Sequence, residues 1–86
     1  MSDATSTSRP TVTIHYCVPC GHLPRAMDVQ RSILERFGQR VEGVKLKTGD
    51  GGVFVISVDD EVVYRKPDEF RLEAVLEEIE RRAPAA

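Results

Sequence analysis

The chain has 86 residues, 41% of them hydrophobic and 30% charged. That suffices for one small globular domain and is too short for two. The 12 Lys+Arg and 14 Asp+Glu give a formal net charge of −2, so the basic excess of a dedicated nucleic-acid binder is missing. No apolar run nears the roughly 18 residues of a membrane span, and two cysteines cannot staple a multi-bridge scaffold.

A core this thin leaves only about 3–5 kcal/mol of stability. Chemistry must therefore sit on a loop or an element end with few supporting residues. A redox pair, a metal site or a binding surface fits that limit; a lidded hydrolase cleft does not.

Residues 1–10 are Ser/Thr-rich without apolar periodicity and are expected to form a disordered tail. They lack the apolar centre of a secretory leader, which makes the cytoplasm, where thiols are mostly reduced, the expected compartment. The folded part is expected over 11–82, with 83–86 frayed.

Residues 11–16 alternate Val12, Ile14 and Tyr16 against Thr11, Thr13 and His15, the period of a strand. Cys17-Val18-Pro19-Cys20-Gly21 interrupts it. Residues 22–37 then predict a helix with Pro24 in its first turn. Its core stripe is Ala26, Val29, Gln30, Ile33 and Phe37, widened by Met27 and Leu34, and Gly38 is its stop. Residues 41–47 predict a second strand, 48–52 (TGDGG) a loop, and 53–58 (VFVISV) a buried strand. Asp59-Asp60 turns it into a return strand over 61–65. A last helix is expected over 69–82 with Asp68 as N-cap and Leu72, Val75, Leu76 and Ile79 buried; Glu77/Arg81 and Glu78/Arg82 are its i,i+4 pairs.

The order is βαβββα, an α/β class fold. A right-handed parallel βαβ start and an antiparallel hairpin give one mixed four-stranded sheet with both helices on one face. The opposite face collects Thr11, Thr13, His15, Lys45 and Lys47, with Val53 and Val55 as a small apolar patch.

Cys17 and Cys20 at a strand–helix junction carry the chemistry. A Cys-x-x-Cys placed there reads as a thioredoxin-like redox motif. The helix N-terminus is the positive end of the dipole and offers unpaired N–H groups, so a thiolate there is stabilised. A second thiol three residues away resolves the mixed disulfide. Pro19 restricts the loop, and Gly21 frees the turn. His22 either donates a proton to the leaving thiol or is an exposed first-turn residue. No motif for an organic cofactor is present. Gly49, Gly51 and Gly52 precede a strand, not a helix, so they are no phosphate cradle.

The stretch Ile14-His15-Tyr16-Cys17-Val18-Pro19-Cys20-Gly21 resembles the start of the selenoprotein W-like family (Rdx; SelT/SelW/SelH). So do the element order and Thr48-Gly49-Asp50-Gly51-Gly52-Val53 leading into an Asp-rich hairpin. The resemblance implies a thioredoxin-like fold, thiol–disulfide chemistry, and a thiol or disulfide protein or glutathione as partner. It also puts Cys20 where the family carries selenocysteine. Similarity to thioredoxins, with expected exposure, instead favours Cys17 as attacker, so both assignments stay open. Residues 48–52 lack the proline that thioredoxins place before the following strand. Gly49, Asp50, Gly51 and Gly52 still form a candidate substrate-facing loop, because glycine lets a peptide or glutathione backbone come close. Two alternatives stand beside this reading. One is a redox-sensitive interaction module without turnover. The other is zinc held by His15, Cys17, Cys20 and His22.

Overall fold

The computed structural model describes residues 9–85. Strand β1 (Thr11–Cys17) is followed by helix α1 (Leu23–Phe37), a 3₁₀ turn (Gly38–Arg40), β2 (Gly43–Gly49), β3 (Phe54–Val58), β4 (Glu61–Arg65) and α2 (Leu72–Arg82). The four strands form one mixed sheet in the order β2-β1-β3-β4. β1 runs parallel to β2 and antiparallel to β3, and β3 and β4 form the hairpin. This is the expected α/β architecture.

The alternation of β1 turns Val12, Ile14 and Tyr16 inward and leaves Thr11, Thr13 and His15 half-buried on the other face. The inward residues join Ile56 and Phe54 of β3, Tyr64 of β4, Ala26, Val29, Ile33 and Phe37 of α1, and Val75, Leu76 and Ile79 of α2 in one cluster. A single cluster holding both helices places them on the same face. Phe54, Ile14, Ile33, Ile56 and Ile79 are its largest fully enclosed side chains. Burial of each is worth about 1.5–3 kcal/mol.

Asp59 takes a left-handed φ of 54° in the two-residue turn, as such hairpins require. The turn is tied to the start of β1: Asp59 N donates to Thr11 O at 2.8 Å, and Thr11 N donates to Asp59 Oδ1 at 3.0 Å. The β3–β4 register shifts between Ile56 and Ser57, a bulge that breaks the plain hairpin of the sequence reading.

Several boundaries differ from expectation. Met27 and Leu34 do not widen the core stripe of α1; they are 51% and 42% exposed. The buried residues already fill the space over the sheet, leaving these two on a flank. α2 starts at Leu72, with Arg71 rather than Asp68 at its N-cap. The Tyr64 hydroxyl donates to Asp68 O at 2.7 Å, and Phe70 packs edge-on against Tyr64 at 5.2 Å, which holds this segment off the helix axis. Glu78/Arg82 forms, but Arg81 also pairs with Glu78 instead of Glu77.

The tail expectation for residues 1–8 and the fraying of Ala86 lie outside the described residues. Arg9 and Pro10 are held: Arg9 pairs with Glu42 at 2.8 Å, and buried Pro10 accepts Glu42 N through its carbonyl. At the other end Ala83 packs on the core, and Pro84 O accepts the Arg40 guanidinium.

Candidate functional site

β1 ends at Cys17, and the chain must then reverse into α1. Pro19 and Gly21 lie in the turn that does this, Gly21 at a left-handed φ of 78° that only glycine adopts cheaply. Gly21 N donates to Val18 O and His22 N to Cys17 O, closing the loop. Pro24 then sits in the first turn of α1, where its missing N–H costs nothing.

This loop brings Cys17 and Cys20 into a disulfide, with Cα atoms 5.4 Å apart, inside the separation a bridge needs. Cys17 is 0% exposed and Cys20 is exposed. Exposure, the ground on which the sequence favoured Cys17, therefore points to Cys20. The strand end buries the first sulfur, while the second rides on the outside of the turn. The first turn of α1 carries no acidic residue, so nothing there opposes a negative sulfur at the positive end of the helix.

The glycine-rich segment is not all loop. Gly49 ends β2 and is the register partner of Cys17, and Val18 N extends the pairing by donating to Gly49 O at 3.0 Å. β2 and β3 flank β1 on opposite sides. The turn of Asp50, Gly51 and Gly52 must therefore cross the end of β1, which carries Cys17. Strand order, not sequence proximity, places this turn at the dithiol. Lys66 reaches it, its Nζ lying 3.8 Å from where a Cβ on Gly52 would stand.

His22 is half-buried rather than exposed. Its ring stands edge-on to Phe54 at 5.9 Å, and its Nε2 is buried with no hydrogen-bond partner among the described residues. His15 lies on the open sheet face, its ring pressed over Gly49. The four-ligand zinc arrangement is not assembled, since the described residues contain no group of three or more His, Cys, Asp or Glu placed to hold a metal.

Arg25, in the first turn of α1, belongs to no motif of the sequence. Its guanidinium stacks over Phe54 at 4.9 Å and over Phe70 at 4.6 Å, which carries a cation across the core edge beside His22. The only local signal was its place in the first helical turn; both aromatic partners lie far along the chain. Among the described residues no helix is long and apolar enough to cross a membrane.

Comparison with known proteins agrees with this fold. The Rdx family model matches residues 11–81. A crystal structure of a Bordetella parapertussis protein superposes with a TM-score of 0.81 at 24% identity, covering 87% of this chain and 99% of that one. A selenoprotein W-related protein from Vibrio cholerae gives a TM-score of 0.82 at 18% identity, covering 87% and 98%. No curated protein matches the chain by sequence. The family match spans β1 through nearly all of α2, including Cys17, Cys20 and the crossing turn, and the chain belongs to the Rdx family.

Proposed function

We propose that this protein is a thiol–disulfide redox protein working through Cys17 and Cys20. The observation that carries the reading is the asymmetric bridge at the mouth of α1, with Cys17 buried and Cys20 exposed. In the reduced protein the Cys20 thiolate attacks a substrate disulfide, forming a Cys20–substrate bond and releasing one substrate thiol. The Cys17 thiolate then attacks the Cys20 sulfur and releases the second. Two electrons and two protons pass to the substrate, and the protein is left with the Cys17–Cys20 bridge. A partner thiol enters in reverse: it attacks exposed Cys20, and buried Cys17 leaves.

Pro19 and Gly21 fix the loop. His22 is the proton donor and acceptor for the leaving sulfur, a role that gives its orphaned Nε2 a partner. Gly49, Asp50, Gly51 and Gly52 form the surface on which a disulfide substrate rests. The partners are a disulfide protein and glutathione or another thiol protein that restores the dithiol, in the cytoplasm.

Intact-mass measurement tests the couple: mild oxidation removes two hydrogens, and a dithiol restores them. In a trapping assay with a protein disulfide, Cys17→Ser accumulates a mixed disulfide and Cys20→Ser does not. A protein that forms no bridge, or traps equally through either cysteine, rules this reading out.

A further inference from the structure

The sheet has an open edge at β2, and its unpaired groups follow from the hydrogen-bond pattern. Val18 N donates to Gly49 O, so the Gly49 carbonyl faces β1. Alternation along a parallel strand then turns the backbone groups of Val44, Leu46 and Thr48 away from β1, toward solvent. Gln30 confirms the direction: its Nε2 reaches down from α1 to donate to Val44 O at 2.8 Å. That contact caps the edge at Val44. The N–H and C=O groups of Leu46 and Thr48 have no partner among the described residues, and β2 has β1 as its neighbour on one side only.

The flank of α1 above this edge is apolar. Leu23, Met27 and Leu34 are spaced to share one side of the helix with Gln30, and they are 42%, 51% and 42% exposed. Below them Leu46 is half-buried. On the other side of the strand, Lys45 and Lys47 are exposed and make no ion pair among the described residues.

We infer that the β2 edge is a docking site for an extended peptide segment of a protein partner that alternates apolar and acidic side chains. The segment pairs its backbone with Leu46 and Thr48. Its apolar side chains rest against Leu23 and Met27, and its carboxylates face Lys45 and Lys47. Strand addition supplies affinity through main-chain bonds and specificity through alternate side chains. Charge selects the occupant. A second copy pairing through the same strand in antiparallel fashion brings lysines against lysines, the usual guard on a free edge, whereas an acidic strand turns the same lysines into attraction. The inference does not depend on redox turnover.

The test uses the full chain in its disulfide form and a cysteine-free peptide of about nine residues alternating valine and glutamate, so no thiol exchange contributes. Amide-resolved NMR titration is expected to shift Leu46 and Thr48 together with Met27. The Lys45→Glu/Lys47→Glu variant is expected to bind about tenfold more weakly, and Met27→Glu likewise, with circular dichroism confirming that both remain folded. Equal binding of a valine–lysine peptide, shifts confined to β4, or sedimentation showing dimerisation through this edge would each overturn the inference. Loss of the redox couple, shown by the mass assay above, leaves it standing.

Discussion

The Nε2 of His15 fills the space that a Cβ on Gly49 would occupy. The Val53 methyl Cγ1 closes the same space at 2.9 Å. Gly49 lies outside the left-handed region, so its need for glycine is a matter of room alone. Because Gly49 pairs with Cys17, this packing fixes the strand end that buries the first sulfur.

Gly49→Ala is accordingly expected to cost about 1–3 kcal/mol through overpacking, a fall in Tm of several degrees for a domain of this size. Adding His15→Ala removes the nearer obstacle and is expected to restore about half of the loss or more, read as coupling in a double-mutant cycle. Additive losses would show that the two residues do not compete for this space.

In the reduced protein, alkylation by iodoacetamide is expected at Cys20 at least about tenfold faster than at Cys17, since the thiolate must be both formed and reachable. Peptide mapping after a short pulse reads the ratio. Faster labelling of Cys17 would contradict the exposure difference.

Phe54 and Arg25 touch but matter unequally. Phe54 is 1% exposed, and Phe54→Ala is expected to cost about 3–5 kcal/mol, enough to leave much of so small a domain unfolded. Arg25→Ala loses a surface cation over two rings, about 1 kcal/mol, and stays folded. Urea midpoints compare the two.

Acid stability should follow α2. The Arg82 guanidinium, with Arg81 beside it, holds the Glu78 carboxyl below its ordinary value, and Arg40 does the same for Glu80. A lowered folded value means stabilisation that is present above the usual glutamate range near pH 4.3. It is lost as pH falls through the lower, folded values. Both groups are solvent-exposed, so the effect is small and shrinks with added salt. Glu78→Gln/Glu80→Gln is expected to flatten the acid limb of a Tm–pH profile relative to wild type; an unchanged limb would show that these pairs contribute nothing.

Much was legible in the chain because its signals are local. The alternation of Val12, Ile14 and Tyr16, the spacing of Ala26, Val29, Ile33 and Phe37, and the Asp59-Asp60 turn each act within a few residues. Backbone geometry alone converts them into strand, helix and hairpin. The cysteine spacing likewise dictates that two sulfurs meet at the head of a helix. What only the tertiary structure decided depends on packing between distant segments. Strand order carries the Asp50–Gly52 turn across the end of β1. Burial of that end hides Cys17 and exposes Cys20, and the full core leaves Met27 and Leu34 outside. Periodicity specifies which side of an element is apolar, whereas exposure depends on how much apolar surface the other elements have left to cover.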